Sequence, residues 1–176
     1  SQRQIMTMTL DAPEPGTALP YGASYTEAGM TVTSYSNDAS FGSPFVVIGT
    51  DTRGLYFHGS SGYLQFAMAD GSRFDPIRIG IVTDGDASAR WLATSTGDLV
   101  MLPSMPAPLE MEFGYSTPTG LDWFRIGTEG QGVTGISYLT FTAIPVPEPS
   151  TFALLGLGLA AMASRNAAQG RRPRAR

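Results

Sequence analysis

The 176-residue chain has no cysteine, no lysine and a single histidine, His58. Without cysteine there is no disulfide and no thiolate metal site. One histidine leaves no zinc set and no nucleophile built on several histidines. A single Ser-His-Asp set is the one such arrangement still open, and no GxSxG elbow or phosphate-binding loop supports it. His58 stands beside Tyr56 and Phe57, the setting of a structural or surface residue rather than of a ligand or base. Every cation is arginine, an observation to which no function attaches. Helical periodicity is also missing: no window of a dozen residues before position 147 repeats its apolar positions at helical spacing.

What the first 146 residues hold instead is a succession of short runs rich in Val, Ile, Tyr, Phe and Thr. Gly, Pro, Ser, Asn and Asp interrupt them every eight to twelve residues. The runs are 5–10, 30–35, 45–49, 55–58, 63–69, 77–82, 90–94, 99–102, 109–115, 123–126 and 136–144. Met30-Val32 alternate with Thr31-Thr33, Met111-Phe113 with Glu110-Glu112, and Leu139-Phe141 with Thr140-Thr142, the period-two signal of half-buried strands. Many short strands with regular turns predict an all-β domain over residues 1–146, an antiparallel β-sandwich or jelly roll. Asp70-Gly71 and Asp84-Gly85, each between apolar runs, predict tight hairpins in which Gly takes a positive φ. Residues 11–21 read as an irregular leading loop, and 101–108, with three prolines, as a long connection or an edge.

Carboxylates offer little chemistry. Glu110 and Glu112 lie two apart on one strand, so they share a face about 7 Å apart and read as the solvated side of an edge. A glycosidase pair needs two acids flanking a cleft. Asp84 and Asp86 around Gly85 could offer oxygens to calcium, but Ala87, Ser88 and Ala89 follow where further ligands would be needed, so the stretch reads as a turn. No metal, no cofactor and no catalytic residue is predicted, and the body is expected to be non-enzymatic.

Charge divides the chain in two. Residues 1–146 carry six Arg against fourteen Asp and Glu, a net of −8, whereas residues 147–176 carry five Arg against Glu148, a net of +4. An acidic body argues against nucleic acid as a partner. The basic tail follows an apolar run and belongs to a membrane surface. Residues 1–10 contain no apolar core of about 7–15 residues, so a signal peptide is expected to have preceded the chain.

Residues 147–176 have three parts in a fixed order. Pro147 and Pro149 fix φ and bias their neighbours to extended backbone, which holds Glu148 open to a protease. Phe152, Ala153, Leu154, Leu155, Gly156, Leu157, Gly158, Leu159, Ala160, Ala161, Met162 and Ala163 then form an uncharged run with no polar face, predicted to be a short hydrophobic helix that enters the membrane. It is shorter than the roughly 17–25 residues of a full span. Arg165, Arg171, Arg172, Arg174 and Arg176 close the chain as a basic stop of the kind that holds a segment's end on the cytoplasmic side.

This order resembles the PEP-CTERM sorting domain, also labelled an ice-binding protein C-terminal domain, a label that does not imply ice binding. The resemblance implies an exported protein of a Gram-negative, exopolysaccharide-making bacterium, held transiently in the inner membrane. There an exosortase-type membrane enzyme recognises the tripeptide and removes the tail, leaving the body at the cell surface or in the extracellular matrix. The body is similar to the β-sandwich domains that precede such tails, which resemble jelly-roll carbohydrate-binding modules. EAGMTVTS, YLQFAMADGSRFD and GISYLTFTAIPVPEPS carry that second likeness, with Ser137 and Tyr138 standing where family members often have Asp-Asn. Two readings of the body follow: a surface or matrix protein without enzymatic activity, or a module holding exopolysaccharide. Trp91, Tyr115, Trp123 and Phe124 bear on the choice, because exposed coplanar aromatics favour the second reading, whereas large aromatics in strands otherwise fill cores.

Overall fold

Burial alternates residue by residue along the strands: in Gly62–Met68 every second position is buried, and Leu64, Phe66 and Met68 point into the core. The computed structural model describes residues 3–10, 18–36, 46–48, 54–58, 62–84, 90–102, 108–128 and 133–145. All lie in the first of two units, Ser1–Pro145; the second runs from Val146 to Arg176. The described strands are β1 (Ile5–Met8), β2 (Ala18–Leu19), β3 (Ser24–Glu27), β4 (Met30–Ser36), β5 (Val46–Ile48), β6 (Leu55–His58) and β7 (Gly62–Met68). They continue with β8 (Arg73–Asp84), β9 (Arg90–Thr94), β10 (Leu99–Leu102), β11 (Pro108–Gly114), β12 (Phe124–Thr128) and β13 (Val133–Ile144).

Two antiparallel sheets result. One has the order β11-β8-β13-β6-β5-β2, with β1 also paired to β13; the other has the order β10-β9-β12-β7-β4-β3. Within them, β6-β13-β8-β11 and β7-β12-β9-β10 are the two four-stranded halves of a jelly roll. The predicted class is therefore found. β13 has its far edge shared by two strands, with Val133–Ile136 paired to β6 and Leu139–Thr142 to β1. Between the sheets, Phe66 and Phe124 stack at 4.6 Å, Phe74 meets Phe124 at 6.0 Å, and Phe141 meets Phe74 edge-on.

Several expectations are corrected. β7 and β8 belong to different sheets, so Asp70-Gly71 is a corner between them and not a hairpin. Gly71 does adopt a positive φ of 76°, but Asp70 does not, which rules out the primed turn. The corner is held by Asp70 Oδ1, which accepts from Ser72 N and Ser72 Oγ at 2.9 and 2.6 Å. Asp84 likewise ends a strand of one sheet while β9 lies in the other, and Gly85 lies outside the described residues. A two-residue hairpin stands instead at Ala28-Gly29 between β3 and β4, where both residues have positive φ (52° and 79°). The leading loop contains the short strand β2. Strand β8 begins at Arg73 rather than at Ile77, because Pro76 sits beside a register shift that removes the need for its missing N–H.

Glu27 ties the sheets together at one corner. Its carboxylate accepts from Thr9 N, Thr9 Oγ1 and Leu10 N at 2.7–2.9 Å, just beyond β1, and from Tyr25 Oη at 2.5 Å. Burial pushes this carboxyl up, but the bonds from Tyr25, Thr9 and Leu10 outweigh it and hold the pKa below 4.5. A depressed folded-state pKa contributes stability above the unfolded value and loses it as pH falls through the folded one. Urea melts of wild type at pH 7 and pH 3 should therefore differ by more than those of Glu27→Gln. Equal differences would remove the role.

Candidate functional site: the outer face of the six-stranded sheet

The alternation that sends Leu64 and Phe66 inward sends Tyr63 and Gln65 outward, and the register carries the same parity across the sheet. Tyr35 stands opposite Tyr63, Tyr63 opposite Gly127, Gly127 opposite Trp91 and Trp91 opposite Met101. One row thus crosses five strands, about 19 Å at the usual strand spacing. Tyr35 and Tyr63 are stacked at 5.2 Å with 19° between their planes, and Tyr63 and Trp91 are 6.1 Å apart at 53°. Gly127 makes the row continuous. A Cβ there would lie 2.2 Å from Trp91 Cζ2 and 2.4 Å from Cε2, so the indole lies across bare backbone that no other residue would leave open.

The next row reads Ser24, Thr33, Gln65, Arg125, Ala93 and Leu99. Arg125 Nε donates to Gln65 Oε1 at 2.8 Å. Its guanidinium carbon lies 4.1 Å from the ring centre of Trp123 and 5.1 Å from that of Tyr63, held by two aromatic faces. No carboxylate among the described residues pairs with it. At the β3–β4 side, Ser24 and Thr33 hydroxyls are 2.8 Å apart, as are those of Thr26 and Thr31. Leu99, Met101 and Tyr35 are exposed. Flat aromatic faces, an amide, hydroxyls and one oriented cation can bind an extended amphipathic molecule; the described part of this face offers no acid or base for catalysis.

The sequence-predicted residues fall as follows. Trp91 and Trp123 belong to this face. Phe124 is fully buried in the core. Tyr115 is half-buried and donates to Asp98 Oδ2 at 2.7 Å; burial first, then Asp98, raises its pKa. Glu112 is on the edge strand of the other sheet, where it accepts from Tyr138 and pairs with Arg78 at 3.4 Å. Glu110 stands two residues along that strand, opposite Val82. His58 pairs in register with Val133 at the end of β6. Asp86 lies outside the described residues, as do Pro147, Glu148, Pro149, the run Phe152 to Ala163 and the five tail arginines, so the expected C-terminal helix does too. Among the described residues no helix is long and apolar enough to cross a membrane, and no group of His, Asp and Glu could hold a metal. Tyr35, Tyr63, Gln65 and Arg125 were not foreseen; the outward parity of their strands was the available signal.

Residues 145–172 match the family model of the PEP-CTERM protein-sorting motif. No curated protein sequence matches the chain. Among solved structures, the chain is similar to a substituted form of CBM29-2, a family 29 carbohydrate-binding module, at 11% identity and a TM-score of 0.44, covering 72% of this chain and 91% of that one. CBM29_1 from Piromyces equi matches at 8% identity and 0.44, over 82% and 94%. A family two carbohydrate esterase from Cellvibrio japonicus matches at 10% identity and 0.41, over 83% of this chain and 36% of the esterase. These likenesses concern strand arrangement and say nothing of the site.

Proposed function

We propose, from the PEP-CTERM protein-sorting motif that the chain carries at residues 145–172, that this is an exported protein of a Gram-negative cell surface or extracellular matrix, sorted and trimmed by an exosortase-type enzyme. The match to the motif is the observation that carries the reading. Pro147-Glu148-Pro149 is the recognition site, Phe152 to Ala163 the transient inner-membrane segment, and the closing arginines the stop. The run is short for a span, and arginine stems are long enough to reach toward headgroups from its end. The body is a non-enzymatic binding domain. Its open aromatic face supports a second element of the reading: the domain holds carbohydrate, and the export route places it where exopolysaccharide is found. Immunoblots of membrane, periplasmic and medium fractions test the sorting. The short form is expected in a host with exosortase and absent from the same host lacking the enzyme. One size in both would overturn the reading.

A further inference from the structure

We infer that the outer face of the six-stranded sheet takes a carboxylated polysaccharide, with sugar rings on the Tyr35-Tyr63-Trp91 row and a uronate carboxylate on Arg125. This rests on the carbohydrate reading and names its ligand class. The row is continuous over Gly127 and exposed at the Tyr35 and Met101 ends, with Tyr35 and Tyr63 near-parallel and Trp91 tilted by 53° from Tyr63. Faces of that kind take the C–H sides of pyranose rings, and the neighbouring row supplies the Gln65 amide and the Ser24 and Thr33 hydroxyls for the sugar's own hydroxyls.

The charge is what singles out an acidic chain. The body has a net charge of −8, yet the described residues of this face carry one cation and no carboxylate. Among the other described arginines, Arg73 and Arg78 have carboxylate partners, Arg90 is fully buried with Thr134, and Arg3 donates to the Pro118 carbonyl at 3.4 Å. Arg125 spends Nε on Gln65 and both ring contacts on orientation, which leaves its two terminal nitrogens directed to nothing among the described residues. A planar guanidinium fixed in this way presents the fork that a carboxylate accepts in two parallel bonds. A neutral glycan would leave that fork unused.

The test is affinity electrophoresis of the full chain in gels containing polygalacturonate or the same polymer after carboxyl reduction, with polymer-free gels as reference. Wild type is expected to be retarded at least about tenfold more effectively by polygalacturonate. Arg125→Gln should lose that preference while keeping its retardation by the reduced polymer, and Tyr63→Ala should weaken both. Thermal melts check that each variant folds. Should Arg125→Gln fail to fold, Arg125→Lys replaces it, with an intermediate preference expected because the charge stays and the fork is lost. Equal retardation by both polymers would overturn the carboxylate while leaving the carbohydrate reading. Retardation by neither would overturn both. Concentration-dependent retardation in polymer-free gels would mean that a second copy covers the face, and the proposal would fall.

Discussion

Glu148→Ala is expected to abolish trimming: in an exosortase-positive host the uncut precursor should accumulate in the membrane fraction and the short form should disappear. Pro147 and Pro149 set the backbone but are chemically bland. Glu148 is the only acidic side chain among residues 147–176 and the only charged one between Pro147 and the apolar run, so it is the group proposed for selection by a recognition pocket. Removing it leaves the run and the arginines untouched, and insertion should survive. Replacing the five arginines by Ser should have the opposite consequence. The apolar run remains, but the cations proposed to hold its end on the cytoplasmic side are gone, so uncut chain should escape toward the medium. A tail that is merely a packed helix predicts neither pattern, and an identical size and distribution for wild type and both variants would establish it.

Phe124→Ala should be the costliest single change in the body. The ring is fully buried on β12, stacks on Phe66 of its own sheet at 4.6 Å, and reaches Phe74 of the opposite sheet. Truncation removes apolar burial and opens a cavity between two sheets whose hydrogen-bonded strands cannot collapse inward, a loss of about 3–5 kcal/mol. Domains of this size are stable by about 5–15 kcal/mol in all, so the variant should melt far lower or fail to accumulate. The urea midpoint checks it, with the slope unchanged. A loss under about 1 kcal/mol would mean that the sheets do not close on Phe124.

Strands were legible because period two is a local property. Leu55–His58, Arg90–Thr94 and Leu99–Leu102 follow directly from their composition and punctuation. Which sheet a strand joins is not local. A Gly with positive φ serves a corner as well as a hairpin, and Asp70-Gly71 shows no difference in sequence between the two. Ala28-Gly29 was missed for the opposite reason: Ala rarely adopts the left-handed conformation it holds there. The candidate site was half visible. Trp123 and Phe124 are neighbours in sequence, yet one lies on the solvent face and the other in the core, and only the alternation on β12 separates them. Tyr35, Tyr63, Trp91 and Arg125 become one surface through register between strands far apart in the chain, a relation that no single segment contains. The sorting tail was legible because its three parts act in linear order.

The central claim, an exported binding domain released from a sorting tail, is tested most directly by the intact mass of the protein recovered from outside an exosortase-positive host. The account predicts a chain that retains the body through β13 and ends near Pro147-Glu148-Pro149, without the apolar run and the arginines. Recovery of a chain still ending in Arg176, or cut within the body, would contradict it.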